Sequence, residues 1–163
     1  MTMAKSTTKN SLTEFNLEKI RRFTESELSK LSQGDLPFCY QIGKDILVGS
    51  NKVVYVDDKC WSVFDGNIHV FDFFTRKDAI FYCIAVHQKQ LSLANDIKAK
   101  DGLLNRLEFE AVLFRHRYKK ATEKRDEWGV EYYSTKYTET MHRLEQVKKD
   151  LQKTLNLAKY IKV

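Results

Sequence analysis

Val130, Tyr133, Tyr137, Thr140, Leu144, Val147, Leu151, Thr154, Ala158 and Ile161 recur at alternating intervals of three and four through more than four heptads. Only a helix brings such positions to one side, so this stretch must form a long amphipathic helix whose seam needs cover. Upstream, Leu104, Leu107, Ala111, Phe114, Tyr118 and Ala121 repeat the spacing and predict a partner helix of roughly 20 residues, from Leu104 to Lys124. Between the two, Arg125 supplies a cation for a helix end, and Asp126 and Glu127 supply anions for a helix start, as the helix dipole favours. Arg125 falls at a nominal seam position and must snorkel or pair with an acid. Gly129 lets the second helix approach its partner closely. Residues 103–163 are therefore expected to form an antiparallel helical hairpin.

The predicted helices differ in length. At 1.5 Å per residue the second would overhang the first by roughly 15 Å. Leu144, Leu151, Leu155, Ala158 and Ile161 are accordingly expected to form a protein interface, since exposed apolar seams usually find partners. The alternative is that Phe15, Ile20 and Phe23 of the same chain cover the overhang.

The remainder places the chain in the α+β class. Residues 1–10 read as a flexible tail. Over 11–36, two capping-box patterns, Ser11 with Glu14 and Thr24 with Glu27, and apolar residues at near-helical spacing predict a helical arm that Gly34 can close. From Pro37 the runs FCYQI, ILVGSNKVVYV, CWSVF and IHVFDFF are rich in β-branched and aromatic residues and are separated by GKD, DDK and DGN. Such short turns imply an antiparallel meander of about four strands, with Gly49 marking a bend or bulge. Asp57, Asp58 and Asp65 are read as turn residues whose carboxylates bond nearby amides, because their spacing matches no calcium loop. Thr75 and Asp78 then start a helix that Asp101-Gly102 stops. Residues 79–86 are apolar on almost every side, so this helix should lie across the meander, completing a unit at 37–102.

Composition narrows the chemistry. With 163 residues, a single proline and 12% aromatics, the chain can bury a genuine core. No apolar run approaches the roughly 20 residues needed to span a bilayer, and MTMAKSTTKN lacks a secretory apolar segment, so a cytoplasmic protein without membrane contact is expected. Cys39, Cys60 and Cys83 lack the close spacing of zinc or redox sites and read as small core residues, while His69, His87, His116 and His142 are scattered. No phosphate loop, GxSxG turn, HExxH helix or carboxylate pair near a histidine is present. Neither catalysis nor a cofactor or metal is expected.

The net charge of +6 is unevenly spread. Residues 1–36 carry six bases against five acids, 37–102 eight against eight, and 103–163 fourteen against nine. The segment FRHRYKKATEKR alone, 114–125, holds six bases and one acid. On a helix Phe114, Tyr118 and Ala121 point inward, Arg115 and Lys119 fall on one flank, and Arg117, Lys120 and Lys124 on the opposite arc. Two readings remain open. These bases are the solvated sides of a hairpin helix, or they displace counterions from a nucleic-acid backbone. Lys52, Lys59, Arg76 and Lys77 of the strand region make a weaker candidate surface, because aspartates neutralise them.

The series FCYQIG, LVGSNKVV, WSVFDG, FFTRKDAIFYCIA, NDIKAKD, LEFEAVLFRHRYKKATEKRDEW and KYIKV resembles a family of short uncharacterised proteins from tailed phages of marine cyanobacteria and related hosts. The likeness covers most of residues 37–163 and excludes the N-terminal arm. It implies a viral protein acting in the host cytoplasm or in the virion, and it carries no site residues across. The leading expectation is a non-enzymatic accessory or assembly protein that binds another protein or a copy of itself through the hairpin. The alternative is a nucleic-acid binder using Arg115, Arg117, Lys119, Lys120 and Lys124.

Overall fold

The structure, a computed structural model, describes residues 11–162. It is α+β, with a six-stranded mixed sheet and long C-terminal helices. The expected tail at 1–10 lies outside the described residues. Two compact units are resolved: residues 11–98 together with 154–162, and Ala99–Lys153.

In the first unit the strands are β1 (Leu12–Glu14), β2 (Arg21–Phe23), β3 (Cys39–Ile42), β4 (Asp45–Val48), β5 (Asn51–Asp57), β6 (Cys60–Asp65), β7 (Ile68–Phe73) and β8 (Tyr160–Lys162). The main sheet has the order β2-β3-β4-β5-β6-β7, antiparallel throughout except for β2, which runs parallel to β3. The meander thus holds five strands, because the run ILVGSNKVVYV is cut at Gly49 into two. Gly43, Gly49 and Gly66 each open a two-residue hairpin loop at φ of 59°, 58° and 61°. Glycine there takes the left-handed backbone at no steric cost, and its turn matches the twist of paired strands. Asp57 Oδ1 accepts from the Lys59 amide at 2.8 Å, so this aspartate does hold a turn.

Register places Ile46, Val53, Val63 and Phe71 in one cross-strand row. Helix α2 (Arg76–His87) packs on this face across β4 to β7. Ile46, Val53, Val63, Phe73, Ile80, Cys83 and Ile84 are all fully buried. Thr75 caps α2, its hydroxyl accepting from the Asp78 amide at 3.1 Å. Burial pushes the Cys39 thiol up to about 12, against a smaller opposing pull from the Arg76 guanidinium, and raises Cys83 as well. Both thiols stay protonated at neutral pH and act as apolar core groups.

The N-terminal arm is mostly extended. Leu12–Glu14 pairs antiparallel with Tyr160–Lys162, and Lys159 Nζ stands 3.2 Å from Glu14 Oε1, so the Ser11/Glu14 pattern opens a strand. Only the second capping pattern acts: Thr24 accepts from the Glu27 amide at 3.2 Å and starts the short helix α1 (Glu25–Ser29). Isolated helices this short are marginal, and strand pairing with Phe15 set edge-on against Phe81 offers more.

The helix begun at Thr75 does not continue to Gly102. It closes at His87, where the Gln90 amide bonds the Ala85 carbonyl and Lys89 takes φ of 60°. This is a Schellman stop with lysine where glycine is usual. Helix α3 then runs from Leu91 to Glu123, 33 residues, straight through Gly102. A lone glycine costs a helix only about 1 kcal/mol. Ile97, Leu104, Leu107 and Ala111 keep the buried stripe in phase on both sides of it.

The second unit is an antiparallel hairpin between α3 and α4 (Glu127–Ala158, 32 residues). Lys148 Nζ lies 3.7 Å from Glu108 Oε1, and the Arg117 guanidinium lies 5.9 Å from the Tyr133 ring centre, contacts that rise along one helix as they fall along the other. Asp126 caps α4, accepting from the Gly129 amide at 3.1 Å. A Cβ at Gly129 would stand 2.5 Å from Oδ2 of that capping Asp126 and 3.1 Å from the Cβ of Ala121, so both the cap and the close helix approach favour glycine.

Candidate nucleic-acid interface

The two helices are nearly equal in length, each close to roughly 50 Å. The expected overhang is therefore absent. Leu144, Leu151, Leu155 and Ala158 are 1%, 4%, 3% and 0% exposed within the single chain, and Ile161 is half-buried on β8 opposite Thr13. These residues form packing, not an open interface. Asp101-Gly102 does not stop the helix, so α3 begins at Leu91 and not near Leu104.

The basic segment keeps its exposure. Every residue from Arg115 to Lys120 is exposed, as is Lys124. Among the described residues, no carboxylate stands within ion-pair distance of Arg115, Arg117, Lys119, Lys120 or Lys124. By contrast Lys136 reaches Glu139 at 3.7 Å, and Lys148 reaches both Glu108 and Glu145. Arg125 is not a seam residue. It occupies the left-handed stop of α3 at φ of 54°, with the Asp126 amide bonding the Ala121 carbonyl, and its side chain is exposed.

Tyr118 departs from its expected inward position: it is 39% exposed. It lines a groove of about 400 Å³ with Arg115, Ser134 and Tyr137. Ala121 does point inward, and Phe114 is half-buried. Exposed rings also stand on α4, where sequence spacing drew no attention to them. Trp128 and Tyr132 are 69% and 41% exposed, stacked with ring centres 5.0 Å apart and planes 10° from parallel. Their i, i+4 spacing on the face away from the seam is the one signal in the sequence.

In the sheet unit one polar cluster invites comparison with catalytic chemistry. Ser62 Oγ donates to Asp72 Oδ1 at 2.6 Å, and His69 Nε2 stands 2.6 Å from the same oxygen. These contacts, Ser62 foremost, hold the Asp72 carboxyl below its ordinary value. A serine nucleophile needs its hydroxyl on the imidazole. Here hydroxyl and imidazole share one carboxylate oxygen, so the cluster ties β6 to β7.

Among the described residues no group of three or more His, Cys, Asp or Glu side chains could hold a metal ion, and no helix is long and apolar enough to cross a membrane. Comparison with protein families, with curated proteins and with solved structures gives no match.

Proposed function

We propose that this is a non-enzymatic nucleic-acid-binding protein that grips the phosphate backbone through the exposed end of α3. The observation that carries the reading is the set Arg115, Arg117, Lys119, Lys120 and Lys124, solvent-exposed and, among the described residues, unopposed by any carboxylate within ion-pair reach. Unpaired cations at this density hold a strong field, and phosphates that enter it release condensed counterions. The resemblance to phage proteins extends the reading to a viral protein working in the host cytoplasm.

The test is a binding titration with mixed-sequence DNA and RNA across salt. Five phosphate contacts give a log–log salt slope of about −4.5 on duplex DNA. The double variant Arg115→Glu/Lys119→Glu should weaken binding on every sequence and flatten that slope. Binding that ignores salt, or no binding at low salt, would reject the reading.

A second reading, contact with another protein or with a copy of the chain, is favoured by Phe109 and Val112, which are 68% and 63% exposed on adjacent turns of α3. Light scattering separates the two. A dimer that Phe109→Lys dissolves, without nucleic-acid binding, would put this second reading first.

A further inference from the structure

We propose that the hairpin binds its nucleic acid as a single strand, stacking unpaired bases on the Trp128–Tyr132 ring pair. The inference rests on the nucleic-acid reading and narrows its ligand. The rings sit one turn apart on α4 near its start, and one face of the indole lies against Tyr132. With 69% of Trp128 exposed, its other face meets water.

The pair belongs to a longer ladder. Tyr132 meets Tyr133 edge-on at 5.2 Å, and the Arg117 guanidinium stands 5.9 Å from the Tyr133 ring. Lys136 Nζ lies 5.7 Å from the Tyr132 ring. Arg117, Lys120 and Lys124 follow one another at intervals of three and four, so the arc of α3 that reaches the ladder through Arg117 carries three cations with, among the described residues, no carboxylate in ion-pair reach.

Rings bracketed by cations are the arrangement that holds a strand whose bases are free. Every base has a π face for the indole, and the phosphates fall to the arginine and lysines. A duplex hides those faces in its own stack and presents only phosphates and base edges. The flanking charges set the path. Glu131, Glu139 and Lys136 share the groove beside Trp128 and Tyr132; with Lys136 paired to Glu139 at 3.7 Å, Glu131 leaves an acidic excess there, so phosphates are drawn to the α3 side and the bases are left on the rings.

The experiment compares oligo(dT), oligo(U) and a DNA duplex of equal length on the full chain, read by anisotropy and by tryptophan fluorescence in a Trp61→Phe background. Expected are tighter binding of the single strands than of the duplex and quenching of Trp128 on binding. Trp128→Leu should lower single-strand affinity about tenfold, in line with one lost stack, and leave duplex affinity unchanged. Tyr132→Leu should act in the same direction, and the tighter of the two oligonucleotides identifies the sugar. Salt-sensitive duplex binding at equal or greater strength, with no selective effect of either ring variant, overturns this inference while the backbone reading survives. Failure of all three probes to bind overturns both.

Discussion

The sheet unit and the hairpin tip bury their residues in opposite ways. In the sheet unit seven large or medium apolar side chains from β4 to α2 are fully buried, and its segment 37–98 balances seven bases with seven acids. Along the tip, from residue 112 to residue 139, only Ala121 and Gly129 are buried. Two helices joined by such small residues sit close together but gain little from burial, since apolar stabilisation scales with area. The sheet unit spends its side chains on a core, whereas the tip leaves its rings and cations to solvent. Under the proposed function, this division is that of a scaffold and a binding surface.

Core truncation should separate the two regions most. Phe73→Ala should cost about 3–5 kcal/mol in denaturant unfolding. Val130→Ala, half-buried at the tip, should cost about 1 kcal/mol or less. Equal losses would break the contrast.

The two left-handed stops give a smaller and opposite effect. Lys89→Gly and Arg125→Gly each relieve a backbone strain and should raise stability by about 1 kcal/mol. Only the second should also weaken nucleic-acid binding, because Arg125 lies beside the cation field. A matching loss from Lys89→Gly would show that affinity follows total charge and not place.

The smallest effect is expected on acidification. Asp72, held below its ordinary value by Ser62 and His69, contributes stability that is complete above about pH 4 and is lost as pH falls through its depressed folded value. The carboxylate is half-exposed, so the change should stay under about 1 kcal/mol. Asp72→Asn should flatten the unfolding midpoint against pH in that window; an unchanged slope would assign the acid sensitivity to other carboxylates.

What could be read from sequence follows the strength of each local signal. The strands at 39–73, the α2 start at Thr75 and the seam from Val130 to Ala158 were legible, because alternation, capping chemistry and heptad spacing are decided by neighbours in sequence. Gly49 and Gly102 were not. One is a turn and the other a bystander, and only register in the first case and stripe continuity in the second tell them apart. The strand at Leu12–Glu14 is not legible locally because its partner, Tyr160–Lys162, lies far along the sequence. For the site, the basic residues could be named in advance, but their lack of acidic partners is a property of three-dimensional distance. Trp128 and Tyr132 lie on the face of α4 away from the seam, where heptad spacing carries no signal.

The ribbon joining Leu12–Glu14 to Tyr160–Lys162 also bears on how the protein is made. A ribosome must deliver residue 162 before Leu12 meets its partner, so this pair forms after the meander, whose strands have only near neighbours to find. Closing so long a loop is slow, and the last event in maturation should be the docking of this pair.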